Sequence, residues 1–132
     1  MKGIVVTPSM EMEVKDFDSP LYESAGAVVD GPIELVKPMG LPKPFCMIVN
    51  EEGLLRDNWS FNPIASLVYG TFEHGHPIVG TVVFMKLGYT SAGPDVIGLD
   101  ESDEAYLKVF LDHHITVLKL LLAEPNSKGE NT

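Results

Sequence analysis

Two apolar runs constrain this chain more than any other feature of it: Phe45 to Val49 and Ile78 to Met85. The first is short, uninterrupted and carries Ile48 and Val49, as a strand buried on both faces should. The second is too apolar to keep a clean solvent face. Between them, Asn50-Glu51-Glu52-Gly53 predicts a type I turn, with Gly53 free to take positive φ. Leu54-Leu55 then reads as a hairpin arm pairing back across the turn. Trp59 and Phe61 read as aromatics folded onto the core. Asn62-Pro63 is a helix start, an N-cap followed by a residue pre-organised for the first helical position. Ile64, Leu67 and Val68 give that helix one apolar face, and Gly70 stands where a glycine would end it.

Four blocks carry a family resemblance: VDGPIELV at 29–36, IVNEEGLL at 48–55, NPIAS at 62–66 and IVGTVVF at 78–84. In order and spacing they resemble an uncharacterised small domain family, a domain of unknown function found in bacteria, their phages and mobile elements. The resemblance covers about residues 2–86 and leaves the C-terminal helix outside. It brings no catalytic or ligand residue with it. What it implies is a phage or mobile-element origin, with a role in host takeover or counter-defence.

The flanks complete an α+β pattern. Gly3 to Thr7 predicts a first strand, and the alternation of Met10, Met12 and Val14 with charged residues predicts an exposed edge strand or extended loop. Ser19-Pro20 predicts a helix with Ser19 as cap and Pro20 at its first position, with Leu21, Ala25 and Val28 on the apolar stripe. Gly31-Pro32 ends it, and Ile33 to Val36 is the next strand. Residues 38–44 hold three prolines and read as a loop, as do the glycine-rich residues 88–99. From Asp100 or Ser102 to Glu124 runs the strongest helix signal. Acidic residues sit at its start, where they complement the helix dipole, and Leu107, Leu111, His114, Leu118 and Leu121 form a stripe. Val109, Phe110, Val117 and Leu122 widen that apolar surface. Pro125 stops the helix, and residues 126–132 read as a disordered polar tail. The expected fold is one α+β domain over residues 1–124. It has four or five strands in a mostly antiparallel or mixed sheet, with helices mainly on one face.

At 132 residues the chain can bury a core without staples. Its one cysteine forms no internal disulfide, suits a reducing cytoplasm, and lies in an apolar run as an inert buried thiol. The three aliphatics after Gly3 are too few for a signal-peptide core, and no apolar stretch reaches membrane-span length. A soluble cytoplasmic protein is expected. Nineteen acidic residues against nine basic give a net charge of −10, which disfavours direct nucleic-acid binding.

Motifs with chemistry are sparse. His74-Gly75-His76 places two imidazoles close enough to face one ion, but zinc wants three or four ligands and no flanking pattern supplies them. His114 lies in the apolar stripe and reads as a hydrogen-bonded core histidine, with His113 on the exposed flank. There is no nucleophile elbow, P-loop or dinucleotide fingerprint. The carboxylate pairs at Glu51-Glu52 and at Glu101, Asp103 and Glu104 lack a placed His or Lys. No catalytic residue, metal or cofactor is therefore expected.

Three functions compete. The first is a non-enzymatic protein that binds a host or defence protein through its acidic surface or its C-terminal helix. Its candidate contact residues are Trp59 (a recognition anchor if exposed), Tyr89, Asp100, Glu101, Asp103 and Glu104. The second is a small-ligand binder in which Tyr22, Trp59, Tyr69 or Tyr89 stacks a nucleotide base. The third is an acidic DNA mimic. A homodimer through residues 105–122 is also expected, because the long helix has more apolar width than a small domain covers.

Overall fold

The computed structural model describes residues 1–123. Among these residues are six strands in one antiparallel sheet and four α-helices. The strands are β1 (Lys2–Val6), β2 (Met12–Asp16), β3 (Ile33–Val36), β4 (Phe45–Asn50), β5 (Val82–Thr90) and β6 (Gly93–Ile97). The helices are α1 (Leu21–Val29), α2 (Pro63–Tyr69), α3 (Thr71–His74) and α4 (Glu101–Ala123). The sheet runs β2-β1-β5-β4-β3, and β6 pairs with the far half of β5.

The two apolar runs become the middle of this sheet. β4 and β5 pair antiparallel, Met47 opposite Phe84 and Ile48 opposite Val83. Side chains alternate across a strand, so one row faces each way. Ile4, Val6, Met47, Val49, Val82 and Phe84 face one layer, which α2 and α4 cover with Ile64, Val68, Leu107, Leu111 and Ile115. Val5, Cys46, Ile48, Val83 and Met85 face the other layer, where Phe17 and the α1 residues Ala25 and Val29 pack. α2 and the long α4 thus lie on one face, and α1 covers the opposite one.

The sixth strand is a correction. Residues 88–99, read as a loop from their glycines, continue β5 to Thr90 and return as β6, with Tyr89 opposite Pro94 and Thr90 opposite Gly93. Pro94 and the exposed outer positions of β6 suit an edge strand, where proline is tolerated. The second apolar run is also not one strand. Val79 makes an isolated bridge to Phe61, Gly80 turns at φ 78°, and β5 begins only at Val82.

The turn after β4 differs as well. Leu54 and Leu55 lie in a 3-10 turn, Gly53–Leu55, and not in a hairpin arm. Gly53 does not take positive φ. Its bare α-carbon is required because a Cβ there would come within 2.7 Å of Val79 Cγ2. Trp59 and Phe61 stay about half exposed because residues 57 to 60 are all exposed, and Phe61 is tied in only by its isolated bridge to Val79.

α1 starts one residue later than Ser19-Pro20 suggests. Pro20 has extended backbone and is itself the N-cap, while Ser24 Oγ donates to the Asp18 carbonyl at 2.6 Å. The helix ends at Asp30, in the left-handed region at φ 68°, before Gly31-Pro32. α2 begins where Asn62-Pro63 predicts and ends at Gly70, at φ 97°. Leu67, placed on its apolar face by spacing, points largely to solvent, and Ala65 is buried instead. Glu124 and the expected tail at 126–132 lie outside the described residues.

Asn62 joins three parts of the fold. It is fully buried, and its Oδ1 accepts the Ala65 N–H at 3.0 Å to cap α2. Its Nδ2 donates to the carbonyls of Val6 (3.1 Å) and Gly80 (2.8 Å), tying α2 to the ends of β1 and the approach to β5. Replacing Asn62 with Ala removes the cap and leaves buried backbone groups unpaired. A loss of roughly 2–4 kcal/mol in unfolding free energy is expected by denaturant titration, and wild-type stability for Asn62→Ala would refute the assignment.

Cys46 is fully buried, and burial pushes its thiol up to about 12. At neutral pH the thiol should resist alkylation until the protein is unfolded, which mass spectrometry after iodoacetamide treatment, with and without denaturant, would read directly.

Candidate functional site

The acidic cluster at 100–104 is the start of α4, held to the sheet by one lysine. Asp100 Oδ1 accepts the Asp103 N–H at 2.8 Å, and Asp103 Oδ2 accepts the Asp100 N–H at 3.0 Å. This reciprocal pairing satisfies two backbone donors of the helix start, as a capping box does. Lys86, near the centre of β5, reaches both carboxylates, at 2.5 Å from Asp103 and 3.5 Å from Asp100. Glu104 pairs with Lys108 one turn on, at 3.7 Å, and Glu101 faces solvent. Two of the four acidic candidates therefore hold α4 in place. Tyr89 lies further along β5 on the β5–β6 hairpin and is 87 % exposed.

Trp59 is 45 % exposed and lies elsewhere, on a cleft of about 230 Å³ shared with Val28, Asn50, Arg56, Asn58 and Thr81. Its polar wall is a set of contacts that closes the end of α1. Arg56 Nη1 donates to Asp30 Oδ2 at 2.9 Å, and Arg56 Nη2 donates to the Asp30 carbonyl. Asn50 Nδ2 donates to the carbonyls of Val29 and Asp30, while its Oδ1 accepts the Glu52 N–H. The charged groups here serve the carbonyl end of a helix, which donors and cations stabilise.

A second groove, about 330 Å³, runs between β3, the 3-10 turn and the segment before β5. Tyr69 Oη lies 3.2 Å from His76 Nε2 on its wall, and Glu34 and Glu51 stand at its rim. The His74 side chain lies outside what is described. Among the described residues, no group of three or more His, Cys, Asp or Glu side chains is placed to hold a metal ion. The four aromatics considered for base stacking are dispersed: Tyr22 on α1, Trp59 before α2, Tyr69 at the end of α2 and Tyr89 on β5.

No other single element carries as many exposed large apolar side chains as α4, which has six among the described residues. Leu107, Leu111 and Ile115 are buried against the sheet, so the inward stripe turns to Ile115 where the spacing placed His114. His114 is half-buried and donates from Nδ1 to the Phe110 carbonyl at 2.8 Å. An aromatic series runs up one side of the helix. Phe45 stacks on Tyr106 (5.7 Å between ring centres, 7° between planes) and Tyr106 on Phe110 (6.2 Å), while Phe110 meets His114 at 4.4 Å with the rings tilted by 38°. Beyond it Val117, Leu120, Leu121 and Leu122 face outward, and Val117, Leu120, Leu121 and Ala123 frame a shallow apolar hollow. Tyr106 and Leu120 were missed as candidates. Their signal is a second run of three- and four-residue spacings, hidden in the sequence behind the leucine stripe.

The Lys86 clamp sets a pH dependence. The Asp103 N–H bond and then the Lys86 charge hold the Asp100 carboxyl below its ordinary 3.8. The folded protein thus binds this proton less readily than the unfolded chain. The contribution is complete above 3.8 and is lost as pH falls through the lowered value. Lys86 is raised above its ordinary 10.5, first by its hydrogen bond to Asp103, so its contribution is complete below 10.5 and lost as pH rises through the raised value. Asp100→Asn keeps a capping side chain and removes the charge. Its melting temperature should fall less steeply than wild type between about pH 5 and pH 2, and parallel curves would show that Asp100 carries no such linkage.

Residues 1–110 match the model of a family described as a domain of unknown function, DUF3846. No curated protein and no solved structure shows significant similarity to the chain. The match spans the whole sheet, α1 to α3 and the first part of α4, well past the segment that carries the four blocks. The chain therefore belongs to the DUF3846 family.

Proposed function

We infer that this domain is a non-enzymatic interaction protein that works by contact with another protein. In this reading it belongs to a phage or mobile element, acts in the cytoplasm and binds a host or defence protein. The order and spacing of the blocks at 29–36, 48–55, 62–66 and 78–84 support that origin. The observation that carries the contact reading is the outer face of α4. Val109, Val117, Leu120 and Leu121 are all exposed there, on a chain whose acidic residues outnumber basic ones by 19 to 9. Contiguous apolar surface of this kind on a charged protein favours contact with a protein or a membrane. The described helices include none long and apolar enough to cross a membrane, and a net charge of −10 disfavours adsorption to anionic lipid. A protein partner is therefore the better match.

The test is an affinity capture from bacterial lysate at physiological salt, with the wild-type chain and the Val117→Glu/Leu120→Glu variant as baits. Both positions are exposed, so the core is untouched. A protein enriched by the wild type and lost with the variant is the expected result. Capture that does not differ between the two baits removes α4 from the contact.

A further inference from the structure

The sheet ends at β3 on one side and at β2 on the other. The Glu51 N–H donates to the Pro32 carbonyl at 2.8 Å, in the register that pairs Glu34 with Val49 and Val36 with Met47. Hydrogen-bonded pairs alternate along an antiparallel ladder, so the backbone groups of Glu34 and Val36 point at β4 and those of Ile33 and Leu35 point away from it. No strand lies on that outer side, and among the described residues no loop, turn or side chain bonds to Ile33 or Leu35 there. Pro32 belongs to the inward set, so its missing N–H takes no donor from the open edge. The β2 edge carries exposed Glu13 and Lys15, the kind of charged side chain that keeps an edge from pairing. β3 has a single charge, Glu34, and its Leu35 is 40 % exposed.

The groove of about 330 Å³ opens beside this edge. Side-chain alternation puts Glu34 and Val36 on the same face as Val49 and Glu51, and all four line the groove. Among the described residues no ion pair engages Glu34 or Glu51. We propose that β3 takes on an extended peptide as an added strand, one that carries a lysine or arginine opposite Glu34. The peptide residues opposite Ile33 and Leu35 exchange backbone hydrogen bonds with them, which supplies affinity without regard to side chains. The residue between them meets Glu34 in a non-hydrogen-bonded pair, where two side chains are closest. That side chain lies on the groove face, so a cation there meets the Glu34 carboxylate, with Glu51 on the same groove.

Charge selects the occupant. A basic peptide is attracted to a chain of net charge −10. A second copy laid antiparallel, with its Leu35 opposite Ile33, would set Glu34 against Glu34, and like charges directly opposite destabilise a strand pair. No residue of α4 lines this groove, so the contact goes beyond the reading of that helix and stands or falls without it.

The probe is a synthetic peptide with capped ends, Val-Thr-Val-Lys-Val-Thr-Val, titrated against the isotope-labelled full chain and followed by nuclear magnetic resonance. It should bind saturably and slow hydrogen exchange at the Ile33 and Leu35 amides, with Glu34 and Val36 unchanged. Glu34→Lys should weaken the peptide by about fivefold or more. Glu13→Lys, the same charge change on the other edge, should leave it as tight as wild type. Methylating the backbone nitrogens of the two valines beside the lysine should abolish binding, and methylating the lysine nitrogen, whose N–H points outward, should not. No saturable binding up to millimolar peptide overturns the proposal, as does binding that ignores Glu34→Lys or the valine methyl groups. Exchange at Ile33 and Leu35 that slows with protein concentration alone would mean that a second copy covers the edge, and would overturn it too.

Discussion

Strand β5 makes ladder bonds with three partners, β1 and β4 beside its first half and β6 beside its second. Its residues Val82 to Met85 are buried on both faces. A strand in that position cannot leave either face to water, so the rest of the chain must cover two layers. α1 and Phe17 cover one, and α2 and α4 cover the other. The second half of β5, from Lys86 to Thr90, is less buried, with Leu87 and the β6 residue Val96 packed on the α1 side, and there the chain forms a hairpin. Lys86 stands at the change. Its backbone completes the β4 and β6 ladders, and its amine holds the start of α4.

The central strands were legible because burial on both faces leaves a continuous apolar run, which little else in a small domain imitates. The α2 boundaries were legible because Asn62, Pro63 and Gly70 act locally, each through its own backbone preference. Residues 88–99 were not legible. Their strand is made by pairing with β5, and the glycines that suggested a loop sit in an edge hairpin, where the neighbour supplies the order. Gly53 shows the same limit on a smaller scale. A glycine can be required by its own φ or by a neighbour's approach, and only the fold distinguishes Val79 as the cause. The candidate acidic residues were read correctly as a helix start, but Lys86 is fourteen residues upstream of Asp100, and nothing local links them.

Two of the features most suggestive of a binding site are instead structural. The Arg56, Asp30 and Asn50 contacts resemble a ligand cradle, yet each donor is matched to a carbonyl or carboxylate of the α1 terminus. The paired carboxylates at Asp100 and Asp103 resemble an acid–base pair, yet they accept from each other's backbone and from Lys86. A polar group whose bonds are already made within the fold has little left to offer a ligand. What stays uncommitted is apolar surface, and six of the exposed large apolar side chains share one helix, α4.

α4 shows why. It is 23 residues long, about 34 Å, while the strands beneath it are four to nine residues long. Its buried residues end at Ile115 and Leu118 is the last to pack against the core, so little more than its last turn lies beyond that packing. An isolated helical end of that length is marginal in water, because propagation without tertiary packing gains little per residue. A chain selected only for solubility would place charge there. This one places Val117, Leu120, Leu121 and Leu122, with Lys119 the one charged side chain between Val117 and Ala123. Those residues add nothing to the core, and leaving them in water is unfavourable. Exposed apolar side chains with no partner inside the fold are the observation on which the contact reading of this helix rests.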